Sequence, residues 1–258
     1  MADAGIAVSV TETLEDGRTV FRDRVIPFTG MLDAMRMTGT LPATSLSFRW
    51  TPGTFDFDIH LAPRRRLVLV LEGGLEIVVG AGERRVFRAG DVLEITDAWG
   101  QGHRSRALDG RPFRSAFIAL DDEVHLDRRT SLDSSIEGRP SDLRYPRNVA
   151  TADGGSTTVW ERMPYRYGGP EGLVTEEIPL TGFQFVLAPA TLDYDWHTAP
   201  QRQAVIVLTG GLETETTDGS LARVESGAFL FGEDTTGRGH RTRAVEGKPR
   251  LSVFAHRH

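Results

Sequence analysis

Apolar and polar residues alternate with a period of two along much of the chain. "FDFDIH" (Phe55–His60) and "LDYDWH" (Leu192–His197) set an apolar side chain at every second position, which is the pattern of a half-buried strand. The alternation puts Asp56, Asp58 and His60 on one face and Phe55, Phe57 and Ile59 on the other. "LVLVL" (Leu67–Leu71) and "AVIVL" (Ala204–Leu208) are short apolar runs with β-branched residues. Each stops at a glycine pair, Gly73-Gly74 or Gly210-Gly211, which predicts a tight hairpin turn. "LEIVVG", "RRVFRAGDVLEI" and "FRSAFIAL" continue the series of short strands separated by turns. That spacing predicts an all-β sandwich or barrel. Only "MLDAMRM" (Met31–Met37) hints at a helix.

The pattern occurs twice. Phe48–Phe117 aligns with Phe185–Phe254 at a fixed offset of 137 positions, without a gap, and 30 of the 70 positions are identical. The segments upstream, "EDGRTVFRDRVIPF" and "DGGSTTVWERMPYRY", are also related. The chain therefore reads as a duplication. An N-terminal arm and barrel span residues 1–126, a linker rich in charge, Ser and Gly spans 127–141, and a second arm and barrel span 142–258.

Composition narrows the function classes. Of 258 residues, 39% are hydrophobic and 26% charged, with a formal net charge of -6; that is ordinary for a globular protein and offers no basic surface for nucleic acid. The absence of cysteine removes disulfides, zinc-thiolate sites and thiol nucleophiles. The start carries no basic segment followed by an apolar core, and no apolar run approaches a membrane span. The expectation is a cytoplasmic protein with no nucleic-acid or membrane partner. No G-x-S-x-G, P-loop or dinucleotide fingerprint is present.

Seven histidines occur, and four form two equivalent pairs: His60 with His103, and His197 with His240. "GQGH" (Gly100–His103) and "GRGH" (Gly237–His240) precede the second member of each pair. Gln203 lies six residues after His197 and seven before Gly210; Arg66 holds the same slot in the first repeat. His256 and His258, in the terminal "HRH", read as exposed, and His125 as a surface residue.

These motifs resemble those of the cupin superfamily, in which one motif carries two histidines and a glutamate before a glycine and a second carries G-x2-H. The match covers both bodies, about 70 residues each, and extends to a bacterial group with a His-x-Ala-Pro-x-Arg-Gln stretch. The resemblance implies two tandem jelly-roll barrels forming an intramolecular pseudo-dimer, each arm crossing to the neighbouring barrel, as a monomer or a homodimer. The chain departs from the pattern where Ala62 and Ala199 replace a motif histidine, and where Gln203 and Arg66 replace the glutamate.

By this resemblance the second barrel is the active one. His197, Gln203 and His240 would hold one divalent ion (Fe, Ni, Co, Mn or Zn), since imidazole and carbonyl oxygen suit that group. Asp195 joins His197 and His240 as a catalytic candidate. Trp196, Arg66, His60 and His103 are candidates for contacting substrate, with Arg66 either holding a carboxylate or pairing with Asp56 or Asp58. Trp99 is a second candidate pocket wall. The implied function is an isomerase, cyclase or oxygenase acting on a small organic molecule. Two alternatives stay open: metal-free acid–base catalysis by the histidines, and non-catalytic small-molecule binding.

Overall fold

In a computed structural model, which describes residues 4–120, 139–169 and 172–258, the period-two segments become strands. The described residues form twenty-four strands and one 3-10 turn at Leu108–Gly110, with no α-helix. None of them forms a helix long and apolar enough to cross a membrane. His125 and most of the expected linker fall outside the described residues.

Each repeat builds a four-stranded antiparallel sheet. In the first, Asp56–His60, His103–Ala107, Gly74–Val79 and Arg84–Arg88 lie in that order; in the second, Asp193–His197, His240–Ala244, Gly211–Thr216 and Leu221–Glu225 do. These small sheets face parts of one large sheet that runs through both halves. Val68, Val70, Leu93 and Phe113 from the large sheet pack on Leu75, Ile77 and Val79 from the small one. Val205, Val207 and Leu230 pack on Leu212 and Val224 in the second half. Burying such side chains favours the fold by about 1.5–3 kcal/mol each.

Two local expectations are corrected. The glycine pairs do not make hairpins: Arg66–Glu72 pairs with Val92–Ile95 and Phe113–Ala119, while Gly74–Val79 pairs with strands of the other sheet. Gly73 and Gly210 are corners where the chain passes between sheets. Gly73 has φ +69°, and a Cβ there would sit 2.7 Å from the Pro112 carbonyl oxygen, so only glycine fits without strain. Nor is Met31–Met37 helical. It is the tip of a hairpin between Thr19–Leu32 and Met35–Thr38, with Asp33 at φ +50°.

That hairpin joins the halves. Met35–Thr38 pairs with Gly182–Ala188 of the second repeat, and Leu173–Val174 and Ile178–Pro179 pair with Ser45–Thr51 of the first. Each arm thus sends its last short strands to the other half, while its first strands, Gly5–Thr13 and Asp142–Ala150, pair with Val92–Ile95 and Phe229–Glu233 of their own half. Between the halves lies the largest apolar cluster, in which Phe48 stacks on Phe229 at 4.1 Å between ring centroids.

Candidate functional site

The two histidines of the second repeat come from neighbouring strands. His197 ends Asp193–His197, His240 opens His240–Ala244, and the two are direct cross-strand partners. Their ring centroids are 4.4 Å apart. Gly239 makes this closeness possible: it has φ +72°, and a Cβ there would overlap the backbone carbonyl of His197. The G-x-G-H glycines are thus a packing requirement of the histidine pair.

A register shift between Tyr194 and His197 changes which face the histidine occupies. Strict alternation would put His197 with Asp195; instead its ring lies 4.1 Å from that of Tyr194. The same shift puts His60 beside Phe57, at 4.2 Å. An extra residue in one strand reverses side-chain parity, so Asp195 does not share the histidine's face. Its side chain is 82% exposed and pairs with Arg241 at 3.3 Å. Asp195 is therefore not a catalytic candidate, although its backbone oxygen accepts the His197 Nδ1–H at 2.7 Å.

The carboxylate at the site is Asp234. It is wholly buried, and its Oδ2 accepts the His240 Nδ1–H at 2.6 Å. With both Nδ1 atoms bound, each ring presents Nε2 to its remaining surroundings. Burial holds the His197 pKa below its usual value, with the charge of His240 adding to the effect.

Both histidines line a cavity of about 230 Å³ between the two sheets of the second barrel. Its wall is mostly apolar and includes Leu192, Val205, Leu212, Leu230 and Phe254. Leu32, Met35 and Met37 come from the first-half hairpin. Gln203 and His256, cross-strand neighbours, also face it. His256 is not at the surface, as its place in the terminal "HRH" suggests, but only 6% exposed; it continues the inward parity of Arg250 and Phe254 along the last strand. Trp196 does not line the cavity and instead stacks with Arg238, 4.6 Å from the ring centroid. Trp99 is 53% exposed and is no pocket wall.

The first barrel repeats the dyad but not the space. His103 donates to Asp97 at 2.6 Å, and His60 lies 4.4 Å from His103. Arg66 and Arg49 turn into the barrel and stack on Phe117 at 4.9 and 4.4 Å. Burial lowers their pKa values to about 10 and about 9. Arg66 does not pair with Asp56, whose carboxylate is held by Arg104 at 2.7 and 2.8 Å. The cavity shrinks to about 30 Å³, one water's share of liquid volume. His60, His103 and Arg66 therefore have no room for a substrate.

A divalent ion in the second barrel would find the paired imidazoles of His197 and His240, the neutral amide of Gln203 and, beside that amide on the last strand, the His256 imidazole. No group of three His, Asp or Glu side chains suited to a metal occurs among the described residues. The same wall carries the guanidinium of Arg250, which is 2% exposed and has no carboxylate partner among the described residues. A dication would bring more positive charge into a low-dielectric space that already holds one. The donor set does not fit a divalent metal.

No family model and no curated protein matches the chain. Solved structures similar to it include a cupin 2 conserved barrel domain protein from Leptotrichia buccalis, at 12% identity and TM-score 0.37, over 100% of this chain and 92% of the other. A putative glyoxylate-induced protein from Pseudomonas aeruginosa is 13% identical, with TM-score 0.42, over 88% and 83%. A point mutant of Bacillus subtilis oxalate decarboxylase is 10% identical, with TM-score 0.34, over 88% and 74%.

Proposed function

We propose that this chain is a two-barrel cupin whose second barrel moves a proton on a small organic molecule, as a metal-free isomerase or cyclase. The observation that carries the reading is the buried Asp234–His240 dyad, paired with His197 at the wall of an apolar cavity. A buried carboxylate on Nδ1–H fixes the tautomer of a histidine and stabilises its imidazolium form. His240 has that carboxylate. His197 has only a backbone carbonyl, and its pKa is held down. Of the two rings, His240 is therefore the one placed to give a proton and His197 the one placed to take one.

This division sets up an acid and a base side by side. The lone pair on His197 Nε2 takes a proton from a substrate carbon next to a carbonyl. The electrons of that C–H bond shift to form the enol. His240 Nε2–H delivers its proton to the developing oxygen anion. Return of the His197 proton to the neighbouring carbon, with the proton of the other enediol hydroxyl passing back to His240 Nε2 as the new carbonyl forms, completes the isomerisation and resets the pair. The Gln203 amide, 6% exposed, supplies a donor for the same oxygen. General acid–base catalysis of this kind contributes about 10²–10⁴-fold in rate.

Solvent-deuterium exchange tests this directly. Small α-hydroxy-ketones and 1,3-dicarbonyl compounds, incubated with the protein in D2O and followed by proton NMR, are expected to exchange a carbon-bound hydrogen faster than with His240→Asn. Equal exchange with wild type and His240→Asn overturns the proposal. Elemental analysis of untagged protein separates it from the metal-dependent form. One equivalent of a transition metal, lost in His240→Ala, would replace proton transfer with Lewis-acid chemistry.

A further inference from the structure

Arg250 opens the last strand of the second barrel at the position that Phe113 occupies in the first. Both residues follow a proline, and both are buried, at 2% and 4% exposure. A core aromatic in one repeat is thus a guanidinium in the other. Its Nε and Nη1 are buried and lack a hydrogen-bond partner among the described residues. Arginine cannot shed its proton at neutral pH, and burial takes its pKa down only to about 10. A buried charge without a partner is strongly unfavourable, so the fold carries a cation that none of the described residues neutralises.

A second orphan lies in the same wall. Thr214 is 2% exposed, and its Oγ1 has no partner among the described residues. The first barrel has Ile77 at that position, fully buried in its core. Two separate divergences between the repeats have therefore placed unpaired polar groups around one cavity, and both replace apolar residues.

We propose that the second-barrel cavity binds a small monocarboxylate, with the carboxylate seated on Arg250 and the hydrocarbon body against Leu192, Val205, Leu230 and Phe254. A guanidinium presents parallel N–H groups that match the two oxygens of a carboxylate. Among the described residues no other lysine or arginine lines the cavity, so one negative charge is matched and a second is not. That favours a carboxylate over a phosphate dianion. The volume of about 230 Å³ is below the usual range for drug-sized ligands and suits an acid of six or seven carbons. The assignment names the substrate class for the proton-transfer site above and rests on that reading for its catalytic meaning, though binding can be measured without turnover.

Calorimetric titration with hexanoate and benzoate, beside the neutral hexanamide and benzamide, tests the proposal. Wild type is expected to prefer each acid over its amide by roughly tenfold or more, the range of a charge-assisted hydrogen bond. Arg250→Gln should erase that preference and raise the melting temperature of the ligand-free protein, because it removes an unpaired buried charge. Acid and amide binding alike to wild type, neither binding, or an acid preference surviving in Arg250→Gln would each overturn the proposal. Should acid preference hold while deuterium exchange is independent of His240, the carboxylate site stands and the proton-transfer reading falls.

Discussion

The two barrels share a backbone plan and a histidine–aspartate dyad, yet one is filled and the other hollow. In the first, Arg66, Arg49, Ile95 and Phe113 occupy the interior, leaving about 30 Å³. In the second, the equivalent positions hold Gln203, Val186, Gly232 and Arg250, and the cavity is about 230 Å³. The dyads also differ in their support. Asp97 accepts from Thr11 Oγ1 at 2.8 Å as well as from His103. Asp234 Oδ1 has no partner among the described residues, which leaves more of its charge to act on His240. The comparison teaches that the dyad alone is part of the scaffold, whereas the dyad beside an open cavity is a site.

The sharpest way to break the comparison is to fill the second barrel as the first is filled. Gly232 stands where Ile95 stands, and a Cβ there would meet only Ala199 Cβ at 3.5 Å and Gln203 Cγ at 3.9 Å. Gly232→Ile should place its branched side chain in the cavity and abolish binding of hexanoate and benzoate. Overpacking costs about 1–3 kcal/mol, so the protein should stay folded. Calorimetry and a melting curve together check this. Undiminished binding in Gly232→Ile would mean that the ligand sits elsewhere.

A matched pair of substitutions comes next. Asp97→Asn and Asp234→Asn each weaken a buried 2.6 Å hydrogen bond to a histidine, and each should lower stability by about 1–3 kcal/mol. Only Asp234→Asn should slow deuterium exchange, by about a hundredfold or more, since that change removes the imidazolium's counter-charge. Denaturant melts and exchange rates measured on both proteins test the contrast. Equal loss of exchange in the two would make the first barrel a working site.

Some of this contrast can be read from the chain. Period-two alternation and the 137-residue offset lead to strands and to two units, because both depend on local pattern. Asp97 and Asp234 are identical across the repeats and lie six residues before each histidine, so the dyad carries a signal that alternation around Asp195 obscures. The obstacle is the register shift, which inverts parity at His60 and His197 and is set by strand pairing rather than by local sequence. Arg250 also leaves a trace, as a charged residue where its repeat partner is Phe113, and His256 follows it at even spacing along the last strand. Such mismatches gain meaning only once burial is known. The sheet-switching corners at Gly73 and Gly210 have the same local sequence as hairpins, and only the distant partners of the flanking strands tell the two apart.

The smallest expected effect concerns the mouth of the cavity. The Asp33 carboxylate at the tip of the first-half hairpin faces the Tyr194 hydroxyl and raises its pKa, and the adjacent Leu32 lines the cavity. The repeat partner of Tyr194 is Phe57, which has no hydroxyl. Tyr194→Phe therefore makes the second barrel resemble the first at this point and frees the hairpin tip without altering the pocket's apolar wall. Asp33 is exposed, so water replaces the lost contact and global stability should change little. The effect should fall on kinetics: hexanoate should dissociate a few-fold faster, with its preference over hexanamide unchanged because Arg250 remains in place. Stopped-flow displacement measures the dissociation rate. An unchanged rate would mean that the hairpin serves only to join the two barrels, and that ligand passes it without displacing it.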